Sequence, residues 1–369
     1  MKKTPPNSLF VVQSRQDPNA TLGRILGPEF LTYRQAFALA EKGQRPDFPP
    51  HLDVDVTTVC QLRCPMCPAG GKNSPFPGFG LFLPLATYLK ALREAERRSL
   101  PSLRLGMTGE PLLVKDISHW VKLAKDYGVI DVALITNGQL LTAEMSQKLI
   151  QAGLTRLMIS VDAASFETYK IVRPGGDWER LLDNIGSFLA IRKALNSPLP
   201  LLRLSFVEMT LNVSEREAFA TKFGPLADYL VFQKYQNILA SPTHNWGLGS
   251  VEPGICLEPR ARLALHANGG LFPCCGDFGR LEPLGYFPEN SLREIWLSTP
   301  ALNLAHGQNR AACLKCQKGA SLMEPTPALN AANLSVPKEA NLNLSPGPKN
   351  GPYELGPGRE INHADSVLG

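Results

Sequence analysis

The stretch Val59-Cys60-Gln61-Leu62-Arg63-Cys64-Pro65-Met66-Cys67-Pro68 follows directly on an apolar run of strand length, Leu52–Val56. Its cysteines are spaced C-x3-C-x2-C on one loop. Three thiolates so placed suit three corners of a four-iron cubane cluster. The fourth iron is then left without a protein ligand, and an open coordination position is where chemistry takes place. A structural zinc site would want a fourth protein ligand close by. The nearest histidine, His51, precedes the strand and is poorly placed for that.

Outward from this loop the chain alternates regularly. Strand candidates are Leu52–Val56, Leu103–Met107, Val129–Ile135, Arg156–Val161, Leu202–Glu208 and Tyr229–Gln233. Helix candidates lie between them at Leu85–Arg97, Val114–Tyr127, Ala143–Ala152, Trp178–Leu195 and Ser214–Lys222. Strands that alternate with helices pair in parallel through right-handed crossovers. The expected class is α/β: a partial (β/α)6 TIM-like barrel or an open sheet, with its working end at the strand C-termini. Residues 1–50 form an N-terminal extension with one helix expected at Thr32–Lys42, and 51–240 form the core. After Ala240 the rhythm stops. Residues 241–320 hold five of the eight cysteines, and metal rather than a large core is expected to organise them. One helix is expected there, at Ser291–Ser298. Residues 321–369, rich in Pro, Asn and Gly with Tyr353 as the lone aromatic, read as a disordered tail.

Composition narrows the function classes. At 44% hydrophobic and 19% charged residues, most of the chain can bury a core. A net charge of +5 over 369 residues is too weak to argue for nucleic acid or a membrane surface. The apolar run after Lys2 and Lys3 is shorter than the roughly 7–15 residues of a signal peptide core, and no stretch approaches the roughly 18 needed to span a bilayer. A cytoplasmic protein is expected, where clustered cysteines read as metal ligands before disulfides.

The cysteine spacing, its place after the first strand and the βα units that follow resemble the radical S-adenosylmethionine (radical SAM) superfamily, over about residues 52–235. That resemblance implies a [4Fe–4S] cluster on Cys60, Cys64 and Cys67, with SAM chelating the open iron. Reductive cleavage of SAM then yields a 5′-deoxyadenosyl radical that abstracts a substrate hydrogen. It further implies SAM contacts. Met66 takes the place of an aromatic residue near adenine. Gly109 and Glu110, in Thr108-Gly109-Glu110-Pro111, match a turn that receives the SAM ammonium. Asn137 lies in a Thr-Asn-Gly turn. Ser160 and Asp162 end a strand near the ribose hydroxyls, Arg173 can pair with the SAM carboxylate, and Asn212 and Glu215 follow the fifth strand near adenine. Read as plain residues, Asn137-Gly138 is an ordinary turn, Ser160 and Asp162 can cap a helix, Glu110 suits a helix N-terminus, and Arg173 can be a surface charge.

Cys256, Cys274-Cys275 and Cys313-Leu-Lys-Cys316 come later in the chain. With Gly269-Gly270-Leu-Phe-Pro-Cys274-Cys275-Gly-Asp277 and Ser291-Leu-Arg-Glu-Ile-Trp296 they resemble the SPASM extension found after many radical SAM domains. An auxiliary [4Fe–4S] cluster on Cys256, Cys274, Cys313 and Cys316 is expected, with zinc as the alternative. Strand neighbours point to opposite faces, so only one of Cys274 and Cys275 is expected to ligate, and Cys274 is preferred. Cys275 is then either a small packed residue or a hydrogen-atom donor.

The expected function is oxidation or other tailoring of a small molecule or sugar, served by an electron donor such as flavodoxin or ferredoxin. The N-terminal segment looks too short and Pro-rich for a leader-peptide module. A peptide- or protein-modifying maturase or epimerase is the alternative within the superfamily. A non-catalytic iron–sulfur or zinc-stapled electron-transfer or binding protein is the alternative outside it.

Overall fold

A computed structural model describes residues 10–14, 16–67, 80–235, 246–248, 256–277 and 283–306. Cys313, Cys316 and the tail expected at 321–369 lie outside these residues. In chain order the elements are β1 (Phe10–Ser14), α1 (Pro18–Leu26), α2 (Pro28–Glu41), β2 (Leu52–Val54), α3 (Leu85–Arg97), β3 (Ser102–Leu105), α4 (Ile117–Asp126), β4 (Asp131–Thr136), α5 (Ala143–Gln151), β5 (Arg156–Ser160), α6 (Phe166–Val172), α7 (Trp178–Ala194), β6 (Leu201–Glu208), α8 (Arg216–Phe223), β7 (Tyr229–Lys234), α9 (Glu258–Ala261), β8 (Leu263–Leu265), β9 (Gly270–Phe272), β10 (Gly285–Tyr286), α10 (Leu292–Trp296) and α11 (Thr299–Ala305).

The centre of the fold is the parallel series β2-β3-β4-β5-β6-β7, side by side in chain order within a ten-stranded sheet. Each strand presents one apolar face to the helices. Val54, Leu105, Val132, Leu134, Leu157, Ile159, Leu204 and Phe206 share a buried core with Trp120, Leu149, Leu181, Ile185, Phe188 and Phe219. Alternation turns Asp53, Arg104, Met158, Arg203 and Ser205 to the opposite, concave face. This is the α/β partial barrel that the sequence pattern implies.

The structure departs from that pattern at both ends. At the N-terminus, β1 pairs antiparallel with β7. A satellite core of Leu22, Phe30, Tyr33 and Phe37 packs with Leu201, Tyr229 and Val231. The helix expected at Thr32–Lys42 starts earlier, with Pro28 in its first turn, where the missing N–H costs nothing. Beyond Ala240, β8 pairs in parallel with β2, and β9 and β10 continue the same sheet. Leu292, Ile295, Trp296, Ala301 and Leu304 are buried, and the Trp296 indole N–H donates to Pro46 O at 2.8 Å. Apolar packing thus contributes to holding this segment: Leu292, Ile295 and Trp296 join the main core. The helix expected at Ser291–Ser298 is α10, closed by a capping box between Ser291 and Glu294. Helix α6 shows no clean apolar stripe in the sequence, because its Phe166 and Ile171 are exposed.

One charged cluster ties β2 to its neighbours. Asp53 is fully buried. Its Oδ1 lies 2.7 Å from Arg104 Nη2 and 3.0 Å from His51 Nε2, and its Oδ2 lies 3.5 Å from Arg262 Nη1. Burial alone would raise the carboxyl pKa, but Arg104, His51 and Arg262 outweigh it and hold the group far below the usual carboxylate range. Removing one member of a buried ion cluster leaves its partners uncompensated. Asp53→Asn should lower unfolding free energy by about 3–5 kcal/mol. Urea denaturation measures this, and a change under about 1 kcal/mol would show that the two arginines find other partners.

Candidate active site

The cysteine loop leaves the C-terminal end of β2 and is held by backbone from three directions. Thr58 N donates to Leu81 O at 3.0 Å, and Arg63 N donates to Pro174 O at 2.9 Å. From the third side comes the turn after β3: Gly109 N donates to Thr57 O at 3.0 Å and Glu110 N to Val59 O at 2.8 Å. The approach is so close that a Cβ on Gly109 would lie 2.4 Å from Thr57 O and 2.5 Å from Val59 O. Only glycine fits here.

Glu110 is buried in the crevice between β3 and β4. Its Oε1 accepts from Leu112 N at 3.0 Å and Thr136 Oγ1 at 2.6 Å, and its Oε2 accepts from Asn137 N at 2.7 Å. Burial outweighs these bonds and the more distant Arg173, and pushes its pKa up to about 7. Asn137 bridges onward. Its Nδ2 donates to Cys60 Sγ at 3.7 Å, and its Oδ1 accepts from Gln139 N and Gln61 Nε2. The Thr-Asn-Gly turn therefore joins the Glu110 carboxylate to the first cysteine.

Arg173, just past α6, sits on the other side of the loop. Its Nη1 donates to Cys64 Sγ at 3.5 Å and its Nη2 pairs with Asp162 Oδ2. Its Nε is buried without a hydrogen-bond partner. Asp162 Oδ1 accepts from Val207 N at 2.7 Å, so both of its oxygens are engaged within the protein. Asn212 is likewise occupied. It donates to Asp162 O and Val207 O at 2.8 and 2.9 Å and accepts from Met209 N at 2.8 Å. Glu215 accepts from Ala164 N, Ser165 N and Thr168 Oγ1 at the start of α6. These three side chains shape the strand ends. Ser160 is half-buried, and its hydroxyl makes no hydrogen bond among the described residues. Met66 is half-buried against the main core.

None of the described cysteines is in a disulfide. Burial pushes the Cys60 thiol up to about 11 and raises Cys64 despite the adjacent Arg173. Among the described residues, no three His, Cys, Asp or Glu side chains converge into a ready-made metal cage. The loop places its three cysteines in sequence, with Cys67 N donating to Cys64 O at 3.0 Å.

In the C-terminal segment, Cys274 and Cys275 lie in a turn beyond β9, where Asp277 N donates to Cys274 O at 3.2 Å. The strand-alternation argument for choosing between them does not apply, because Pro273 ends the strand before the pair. Cys275 faces the concave interior, hydrogen-bonded to Arg104 and close to Arg262. A further group was missed in the sequence. Asp55, beside the first cysteine loop, accepts from Thr108 N at 3.1 Å and Thr108 Oγ1 at 2.5 Å, and pairs with His266 Nε2 at 3.2 Å. The signal was present in Leu52-Asp53-Val54-Asp55-Val56, where two aspartates share one face of a buried strand.

Comparison with known proteins gives two family matches: the radical SAM superfamily over residues 54–193 and an iron–sulfur cluster-binding (SPASM) domain over 256–317. A probable GTP 3′,8-cyclase of Methanocaldococcus jannaschii is 29% identical over 44% of this chain and 51% of its own length. The chain thus spans about half the length of such curated relatives. A GTP 3′,8-cyclase of Aliarcobacter butzleri is 28% identical over 61% of this chain and 79% of its own. Among solved structures, native anSMEcpe with bound AdoMet superposes with a TM-score of 0.56 at 13% identity, over 70% of this chain and 84% of that one. Streptococcus suis SuiB does so with 0.52 at 15% identity, over 78% and 75%. At these identities the structural likeness is one of fold.

The clash at Gly109 is with backbone, which cannot rotate away. Gly109→Ala should cost about 1–3 kcal/mol of stability, as overpacking does, and should reduce the iron taken up at the cysteine loop on anaerobic reconstitution. Thermal unfolding and iron analysis test this; wild-type values for both would show that the turn can retreat from the loop.

Proposed function

As this chain belongs to the radical SAM superfamily and carries a SPASM-type iron–sulfur domain, whose cofactors are SAM, a [4Fe–4S] cluster and a further iron–sulfur cluster, we propose that it cleaves SAM reductively and abstracts hydrogen from a small-molecule or sugar-like substrate. The observation that carries the reading is electrostatic. Glu110 is a buried carboxylate, and the cation that acts on it among the described residues, Arg173, is committed to Asp162 and Cys64; the half-buried Cys60 and buried Cys64 are thiols whose neutral form is favoured. A site built this way is completed by cationic guests. A metal cluster converts thiols to thiolates, and an ammonium compensates the carboxylate. The residues present fit the group.

The roles follow from position. Cys60, Cys64 and Cys67 hold the cluster. Glu110 receives the SAM ammonium, Arg173 Nε offers a donor to its carboxylate, Ser160 offers its hydroxyl at the ribose, and Met66 packs at the adenine. When bound, the cluster and SAM supply a one-electron cleavage that generates the 5′-deoxyadenosyl radical. The concave face holds the substrate within reach and excludes competing hydrogens. Residues 51–240 serve as the catalytic core. A flavodoxin- or ferredoxin-like protein is a suitable source of the electron that the first cluster needs, and Cys256 and Cys274, with Cys313 and Cys316, serve a second cluster. A small substrate is supported by relatives named for action on GTP. Among the described residues no helix is long and apolar enough to cross a membrane.

Anaerobically reconstituted protein should carry about eight irons per chain and form 5′-deoxyadenosine from SAM and dithionite. Cys60→Ala, Cys64→Ala and Cys67→Ala should each abolish it. A protein with both clusters intact and no 5′-deoxyadenosine would refute the reading.

Glu110 also predicts a pH dependence. With its pKa raised from 4.5 to about 7, its contribution to stability is present below the unfolded pKa and lost as pH rises toward 7. An ammonium beside it reverses the shift, so SAM binding releases a proton below pH 7. SAM affinity should therefore rise between pH 6 and 8 and level off. Glu110→Gln should bind more weakly and with a flat profile. Titration calorimetry reads both, and an identical slope in the variant would exclude Glu110 as the titrating group.

A further inference from the structure

The turn that carries Glu110 is anchored from the far end of the chain. Thr108 opens this turn, and both its N–H and its hydroxyl donate to Asp55, at 3.1 and 2.5 Å. Asp55 is fully buried. Its partner on the other side is the His266 ring, with Nε2 at 3.2 Å, which belongs to the turn between β8 and β9. His266 is itself fixed. Its Nδ1 lies 3.1 Å from Asn268 Oδ1, an oxygen that also accepts from Gly270 N at 2.9 Å, and its ring packs edge-on against Phe272 at 6.0 Å. Both ring nitrogens of His266 are thus engaged, Nδ1 at Asn268 and Nε2 at Asp55. The backbone runs in register beside these side chains, with Asp55 N donating to Leu265 O at 2.8 Å.

We propose that His266 and Asp55 are positioning residues that set the SAM-binding turn through Thr108, so that the segment leading to Cys274 governs SAM affinity at the first cluster. Three side chains from three strand ends meet here, and each is more than nine-tenths buried. Glu110 is two residues from Thr108, and the intervening Gly109 is pressed against the cysteine loop. A shift of Thr108 therefore has no slack to absorb it and moves the Glu110 carboxylate. The contact is specific to the part of SAM that Glu110 meets. The adenine and ribose positions, at Met66 and Ser160, lie on other elements. The inference rests on the reading of Glu110 as the acceptor of the SAM ammonium.

The test measures equilibrium binding to the reconstituted, full-length protein. The probes are SAM and 5′-methylthioadenosine, which keeps the nucleoside and lacks the amino acid portion. Thr108→Val and His266→Leu should each weaken SAM about tenfold, the loss expected of one charge-assisted hydrogen bond, and leave methylthioadenosine within about twofold. Thr108→Ser and His266→Gln, which restore a donor to Asp55, should return SAM affinity to within about threefold of wild type. Equal weakening of both probes would assign the cluster a merely structural role and overturn the proposal, as would unchanged SAM binding in Thr108→Val. Should His266→Leu fail to fold, the Thr108 pair decides alone. Glu110→Gln separates the two readings. If it leaves SAM affinity unchanged, the ammonium assignment is wrong; if it weakens SAM while Thr108→Val does not, only the relay is wrong.

Discussion

The close approach of Gly109 to the carbonyls of Thr57 and Val59 sets the geometry of everything around it. Those two hydrogen bonds join the turn after β3 to the loop after β2, and they do so with backbone, whose position the strands determine. Glu110 is carried into the crevice by that contact. Asn137 then reaches from Glu110 to Cys60, and Arg173 closes the loop on the side of Cys64. The cysteine loop is thus framed by the ends of β3 and β4 and by the segment after α6.

Two kinds of buried charge follow from this frame. Around Asp53 the charges are matched: Asp53 meets Arg104 and Arg262, and Arg262 also pairs with Glu258, so the cluster is closed and structural. Around Glu110 and the cysteines they are not. The carboxylate is raised to about 7 and Cys60 to about 11, both by burial without a dedicated cation. The same cause, desolvation, gives opposite results according to whether the protein supplies the counter-charge. The contrast separates the part of the concave face that supports the fold from the part that receives a guest.

Much of this was legible in the sequence because the central strands and helices are local. Leu85–Arg97 and Arg156–Ser160 stand where apolar periodicity put them, and the cysteine spacing needed no structure to be noticed. What escaped is non-local. Strand β1 has no partner in sequence near it, and β8 is only Leu263–Leu265, too short for any periodic signal. Asp162 and Asn212 occupy strand ends, as expected of contact residues, yet their polar atoms are used within the protein, which only the hydrogen-bond geometry discloses. His266 carried no motif at all; its meaning depends on Asp55, which the fold brings to it.

The parallel pairing of β8 with β2 has a consequence for synthesis. Strand β2 and its cysteine loop leave the ribosome early, but the neighbour on one side of β2 is residues 263–265. At roughly 5–20 residues per second, that neighbour follows about 10–40 s later. Until then β2 is an open edge and Asp55 has no His266. The nascent core therefore passes through an interval in which its cofactor loop has been synthesised but is not yet flanked on both sides by its own sheet, and a strand made late, β8, completes one made early, β2.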